Sequence, residues 1–175
     1  GYTTYVLVST SKQTKNEFDP ATTIAHMVMV SFIAFFSVMM LVSASPFEKA
    51  ATIAANGLGA NPLLQEHYAM AIHPPMLYIG YVGFTVPFAY VVASLICKDF
   101  STLSTTRVRR SSMIAWTFLT AGIILGAWWS YEVLGWGGYW AWDPVENASL
   151  LPWLTATAFI HSTIMQQKRQ MLRGW

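Results

Sequence analysis

Charged side chains are scarce in this sequence. Only 10% of its 175 residues are charged, whereas 54% are hydrophobic and 15% are aromatic. Soluble domains carry about a quarter charged residues, so the composition excludes an ordinary soluble enzyme and indicates a protein surrounded by lipid. No arrangement of the basic residues indicates nucleic-acid binding.

Cysteine is almost absent as well. The single Cys97 excludes an intramolecular disulfide and any Cys-x-x-Cys redox or zinc site, and we expect it to be a small buried residue near the inner end of a helix. A secretory signal is also missing, because the first apolar run is too long and lacks a small-residue cleavage site. Since the sequence begins at Gly1 rather than Met, we expect either a processed chain or a part of a longer one.

Four long apolar stretches are present, and most of them reach the roughly 20 residues that a membrane-spanning helix needs. Helices buried in a soluble core are the alternative, but the lengths and the lack of charge argue against it. The predicted fold class is an all-α integral membrane protein, with about four transmembrane helices forming part of a larger multi-subunit bundle. In the third span, the spacing of Gly122 and Gly126 lets helices approach closely. The predicted spans are residues 21–45, 74–97, 113–134 and 150–167.

The basic residues predict the orientation of these spans. All but one of the 10 Lys and Arg residues lie in alternate segments, and only Lys49 lies on the opposite side. The positive-inside rule then places both termini on the cytoplasmic or matrix side, and the cluster Arg107–Arg110 is interpreted as an orientation anchor. The predicted inner segments are the polar tail 1–20, the basic loop 98–112 and the tail 168–175, and the predicted outer loops are 46–73 and 135–149.

One segment is unusually rich in tryptophan and glycine. Five of the eight Trp residues lie between positions 128 and 142, with three Gly residues among them. Interfacial Trp and Tyr can form an aromatic belt, but a belt has no use for interleaved glycines. Gly permits close backbone approach and the rings offer a stacking surface, so we favour a platform for a large planar cofactor. The candidate platform residues are Trp128, Trp129, Trp136, Gly137, Gly138, Tyr139, Trp140, Trp142 and Asp143.

The end of this segment also has a structural interpretation. Asp143 is predicted to be the N-cap of the last helix, Pro144 its first residue and Glu146 the returning acid of a capping box. No residue of the sequence has the setting of a general acid or a nucleophile. We therefore predict no catalytic side chain.

Two motifs carry a resemblance to a known family. The segment from Trp136 to Ser149 is similar to the tryptophan-rich WWD signature of haem-handling membrane proteins, and its Asp-Pro-Val-Glu-Asn-Ala-Ser end resembles the CcmF family of cytochrome c maturation, or haem lyase, proteins. The segments 61–65 (Asn-Pro-Leu-Leu-Gln) and 73–83 (beginning His-Pro-Pro) are similar to the same family in the same order. Family members are several times longer, so the match over roughly residues 60–165 implies one portion of a split CcmF. Such a portion is expected in a mitochondrial inner membrane, with a bacterial or plastid membrane of the same topology as the alternative.

Two of the four His residues, His73 and His161, are candidate functional residues. His73 directly precedes two prolines, which disfavours helical backbone, so we predict an N-cap-like residue above the second span; an isolated interfacial His is more often a wet surface residue. His161 is predicted about 17 Å into the fourth span, near the bilayer midplane, where it is either functional or hydrogen-bonded to a neighbouring helix. His26 and His67 are expected to be structural or solvated.

The resemblance implies roles for the two candidates. His is a standard axial ligand of haem iron, and the resemblance implies that His73 binds haem at the outer face while His161 binds a buried haem b. The resemblance implies partner His ligands further along a full-length chain, and no His follows His161. Unless His26 or His67 substitutes, the partner ligands are expected from another polypeptide.

The predicted function is a subunit of a haem lyase complex that presents haem for attachment to apocytochrome c. The expected partners are the remaining CcmF portions, other maturation subunits, haem, the lipid bilayer and apocytochrome c with its Cys-x-x-Cys-His motif. A haem carrier or exporter of the CcmC type, and a non-haem structural membrane subunit, are the alternatives.

Overall fold

The described part of the chain is mainly α-helical. The structure is a computed structural model that describes residues 19–43, 45, 67–98, 102–134 and 138–169. These residues contain no β-strand, which confirms the predicted all-α class. The elements are α1 (Pro20–Ser43), α2 (Ala69–Gly83), α3 (Thr85–Cys97), α4 (Thr102–Trp129), a π-helical turn (Ser130–Leu134) and α5 (Pro144–Arg169).

Three segments are long and apolar enough to cross a bilayer. They are Pro20–Ser43, Ala69–Cys97 and Thr105–Val133. Helix α5 has 26 residues, but Thr, Ser and His residues interrupt its apolar stretch. The membrane class is therefore supported by three helices, and the fourth span stays a prediction.

Two helices begin earlier than the apolar stretches suggested. Helix α4 begins at Thr102, so most of the predicted inner loop 98–112 is helical. Helix α5 begins at Pro144, as the predicted Asp143 cap indicated and six residues before the apolar span 150–167. Capping by Asp143, rather than the onset of hydrophobicity, sets where α5 begins.

His73 is not the N-cap-like residue that the sequence predicted. Helix α2 begins at Ala69 and contains Pro74 and Pro75 in its interior. Membrane helices tolerate such prolines where neighbouring groups compensate for the missing N–H donors. The local preference of a residue before Pro is overridden here, since the whole segment packs as a helix against α4.

A single residue, Phe84, joins α2 to α3. Phe84 has helical backbone, and its N–H donates to the Tyr81 carbonyl at 3.3 Å. Just beyond it, Pro87 cannot donate to the carbonyl of Gly83. Lys98 then ends α3 in a left-handed conformation, with φ of 53°.

Helix α4 is the central element of the described chain. It packs against α2, α3 and α5, while α1 packs against α3. At the start of α1, Asp19 accepts hydrogen bonds from the Thr22 hydroxyl and, at 3.3 Å, from Arg107 of α4. The Thr22 hydrogen bond, supported by Arg107, lowers the pKa of the Asp19 carboxyl. A shared hydrophobic core lies between α1 and α3, with one residue from α4; it consists of Ala25, Met29, Val86, Ala89, Tyr90, Ala93 and Val108.

Candidate functional site

A glycine seam, Gly122 and Gly126 of α4 facing Leu77 and His73 of α2, joins the two helices. A Cβ atom on Gly122 would lie 2.7 Å from Leu77 Cα, and one on Gly126 would lie 2.6 Å from His73 Cε1. Real Cβ atoms do not approach so closely. At Gly122 the clash is with backbone, so only glycine permits this helix separation, whereas at Gly126 a Cβ would displace the His73 ring. The spacing of the two glycines had predicted such close packing.

His73 is held by the glycine seam. It is half-buried, and its Nδ1 lies 2.8 Å from the carbonyl oxygen of Gly122. Because a carbonyl oxygen only accepts, Nδ1 carries the proton, and in the neutral ring Nε2 keeps its lone pair. The ring of Trp129 lies beside His73 with 6.0 Å between the ring centroids. The structure thus brings His73 together with one of the candidate platform residues.

A polar cluster closes the same end of α2 and α4. His67 Nε2 lies 2.6 Å from Glu132 Oε2, and Trp128 Nε1 donates to Glu132 Oε1 at 2.6 Å. His67 Nδ1 accepts the Ala69 N–H at 3.1 Å, so the His67 proton lies on Nε2 and points to the carboxylate. Tyr68 stacks on His67 with 4.5 Å between centroids. His67 and Glu132 are 65 residues apart, and nothing in the sequence predicted their contact.

The described portion of the Trp-rich segment packs on itself. Tyr131 of the π-helical turn and Tyr139 are stacked, with 4.3 Å between centroids and 4° between ring planes. Trp140 and Trp142 meet edge to face at 6.1 Å. Gly138 and Trp142 have positive φ angles of 60° and 58°, so the chain turns sharply on both sides of Trp140.

Two of the candidate platform residues have buried polar atoms without partners. The indole N–H groups of Trp129 and Trp140 are shielded from solvent and donate to no described residue. A buried donor without an acceptor is costly, so each favours an acceptor supplied from outside the described chain. Trp136 and Gly137, also predicted for the platform, lie outside the described residues.

Asp143 and Glu146 fix the end of this segment to α5. Asp143 Oδ1 accepts the Glu146 N–H at 2.7 Å, which is the predicted N-cap bond. The Glu146 carboxylate accepts the Ala141 N–H at 2.8 Å. A capping box would instead use the N–H of Asp143, two residues later in the sequence. The Asn147 side chain donates to the Trp142 carbonyl at 3.0 Å. These bonds engage both carboxylates in holding the backbone beside Trp140.

Two Trp–Thr hydrogen bonds join α4 to α5. Trp116 Nε1 donates to the Thr157 hydroxyl at 2.8 Å, and Trp153 Nε1 donates to the Thr120 hydroxyl at 2.7 Å. The two indole rings stack with 5.9 Å between centroids. Sequence reasoning missed these residues, although the same Trp-x-x-x-Thr spacing occurs in both helices and could have revealed them.

His161 lies one turn beyond Thr157 on α5. Its Nδ1 lies 2.8 Å from the Thr157 carbonyl oxygen, so Nδ1 carries the proton and Nε2 keeps its lone pair. The side chain is exposed. Because α5 begins at Pro144, His161 lies about 26 Å along the helix, and its depth in a bilayer stays a prediction.

A family model described as cytochrome c assembly protein matches residues 1–174. The chain belongs to this family. The cytochrome c-type biogenesis protein CycK of Rhizobium meliloti is 47% identical over 140 residues, covering 80% of this chain and 21% of that protein. CcmF of Escherichia coli is 43% identical over 153 residues, covering 87% of this chain and 23% of that protein.

A solved structure, the cytochrome c haem lyase CcmF, has the same fold. It matches with a TM-score of 0.72 and 45% identity, covering 92% of this chain and 25% of that one. The CcmF resemblance is thereby confirmed. The chain spans between a fifth and a quarter of the length of these relatives, and membership of the family connects it with cytochrome c assembly.

Proposed function

We propose that the chain is a subunit of a haem lyase complex and binds haem at the outer membrane face for attachment to apocytochrome c. The protonation of two histidines carries the proposal. His73 and His161 each donate Nδ1–H to a helix carbonyl at 2.8 Å, which leaves the Nε2 lone pair available. A hydrogen bond from the other ring nitrogen fixes the tautomer and orientation of metal-binding His residues, and neutral His is a common axial ligand of haem iron.

The other two histidines lack this arrangement. Both ring nitrogens of His67 are engaged, one by the Ala69 N–H and the other by Glu132. His26 lies in α1, and its Nε2 is shielded from solvent without a partner among the described residues. The hydrogen bonds therefore favour the same two ligands that the resemblance implied.

The aromatic segment fits a haem beside His73. Haem is planar and carries propionate groups, so it needs aromatic surface and hydrogen-bond donors. The Trp129 ring lies next to His73, and the buried N–H groups of Trp129 and Trp140 have no acceptor in the described chain. We propose that these residues, with Trp128, Trp136, Gly137, Gly138, Tyr139, Trp142 and Asp143, surround the haem.

In this proposal the chain acts by positioning haem and apocytochrome c for reaction. The substrate haem supplies vinyl groups, to which the two thiols of a reduced Cys-x-x-Cys-His motif add. His73 would orient the haem, and the aromatic segment would hold one of its faces against water. Holding the haem and the peptide in the correct geometry lowers the activation barrier of thioether formation, because the entropy cost of bringing them together is met on binding. This needs no acid or base from the chain.

His161 would supply one ligand to a resident haem b, which provides redox chemistry when bound. The exposure of His161 fits a second ligand from another polypeptide. We place the chain in a mitochondrial inner membrane with both termini on the matrix side. A bacterial plasma membrane is the alternative, since the relatives reported above are bacterial.

Visible spectra of the detergent-purified intact complex test the proposal. His161→Ala should abolish a b-type haem signal, whereas His73→Ala should remove a different haem population and stop thioether formation on an apocytochrome peptide. Added imidazole should restore part of each signal, because it supplies the missing ligand.

His67→Gln is the matched control, since it changes a nearby His whose nitrogens are both hydrogen-bonded. Its haem content should match that of the wild type. Unchanged spectra in both His73→Ala and His161→Ala would contradict the ligand assignments and leave a structural subunit. Haem binding without transfer to the peptide would favour the carrier alternative.

A further inference from the structure

The basic end of α4, far from Trp129, borders a cavity of about 500 Å³. Its wall is one face of α4, with Arg109 and Arg110 at one end and Met113, Ile114 and Phe118 further along. From Arg109 to Phe118 the helix rises about 14 Å. Because α4 alone lines it, the cavity is a shallow, open groove that is cationic at one end and apolar along its length.

Neighbouring Arg residues of α4 differ in their partners. Arg107 is paired with Asp19 at 3.3 Å. Arg109 and Arg110 have no carboxylate within ion-pair distance in the described part of the chain. The Nε atom of Arg109 is also shielded from solvent and bonds to no described residue. Two unpaired guanidinium groups, one with a buried donor, favour an anion from outside these helices.

We propose that this groove binds one acidic phospholipid, with its phosphate at Arg109 and Arg110 and an acyl chain along Met113 and Phe118. Guanidinium groups match phosphate oxygens with paired N–H donors, and basic pockets beside membrane helices suit acidic head groups. Free phosphate would satisfy only the cationic end, whereas a phospholipid also covers the apolar wall. The site is independent of the proposed haem function.

Lipid binding to the intact complex tests the inference. After delipidation, the complex is incubated with dioleoyl-phosphatidylglycerol, with dioleoyl-phosphatidylcholine or with inorganic phosphate, and bound lipid and thermal unfolding are measured. Phosphatidylglycerol should bind and raise the unfolding midpoint, while the other two should not. Arg109→Gln and Arg110→Gln should each weaken phosphatidylglycerol binding about tenfold, the loss expected for one charge-assisted contact.

Lys98→Gln is the matched control, because it removes one positive charge at the C-terminal end of α3 and Lys98 does not line the groove. It should bind phosphatidylglycerol like the wild type. If the Arg variants fail to assemble, Thr117→Trp fills the apolar part of the groove with both charges kept, and it should reduce lipid binding.

Several outcomes would overturn the inference. Wild-type binding by the Arg variants would do so, as would equal stabilisation by phosphatidylcholine or by inorganic phosphate. Unchanged binding by Thr117→Trp would contradict the acyl-chain position. Cross-linking of this face of α4 to an acidic segment of another subunit would show that protein, rather than lipid, occupies the groove.

Discussion

Replacing Gly122 by Ala tests whether the glycine seam sets the distance between α2 and α4. The new Cβ would lie 2.7 Å from both the backbone nitrogen and the Cα of Leu77, so it could be accommodated only by moving a helix. Overpacking costs about 1–3 kcal/mol, and Ala in place of helical Gly gains about 1 kcal/mol. Because the clash is with backbone, we expect the upper end, a net loss of about 2 kcal/mol. Thermal unfolding of the detergent-purified intact complex measures it as a lower midpoint.

Gly83→Ala provides the matched control on the facing helix. Its Cβ would lie 3.1 Å from the Ala115 Cβ, a contact that a shift of a few tenths of an ångström relieves. This variant should therefore unfold at or slightly above the wild-type midpoint. If Gly122→Ala proved as stable as Gly83→Ala, the close approach would not be what limits the residue at position 122.

Three further perturbations address other contacts. Thr157→Val removes the acceptor of an indole N–H from α4 and should lower the free energy of unfolding by about 0.6 kcal/mol, and by at most about 1.7 kcal/mol. Thr117→Val should lower it by less, because the Thr117 hydroxyl bonds within its own helix. Glu132→Leu removes both acceptor oxygens, so tryptophan emission should move to longer wavelength as the Trp128 indole N–H is released to water, and unchanged emission would argue against that contact. Asp19 has a lowered pKa, so it stabilises the folded chain above about pH 4, the unfolded value, and this contribution is lost as pH falls through the folded pKa. Asp19→Asn should therefore unfold more readily at neutral pH and show a weaker acid dependence, and identical acid titrations of unfolding would refute this.

Features encoded within a few residues could be predicted from the sequence. Gly122 and Gly126 predicted a close helix contact, and Asp143 predicted a helix start, because both signals depend on local spacing. The prediction for Glu146 was wrong in detail, because its carboxylate accepts the Ala141 N–H rather than the Asp143 N–H. This bond depends on the positive φ of Trp142, which no local propensity favours for Trp.

Features that join distant parts of the chain could not be predicted. His67 and Glu132 meet only because α2 and α4 pack side by side, and no pattern in either segment signals the other. His73 shows the opposite failure, since a reliable local rule for residues before Pro was overridden by packing against α4. The tautomer of His73 follows from a hydrogen bond between distant helices, which the sequence could not show, whereas that of His161 follows from a carbonyl four residues earlier in its own helix.

The bond from His73 to the Gly122 carbonyl also orders events during synthesis. The two residues are 49 positions apart, and chains grow at about 5–20 residues per second. Gly122 is therefore synthesised about 2–10 s after His73. During that interval either ring nitrogen of His73 can hold the proton, and the face later covered by α4 is open to lipid or to other proteins. Only the arrival of α4 selects the tautomer with a free Nε2. Helix packing therefore precedes the fixed His73 tautomer on which the proposed haem ligation depends.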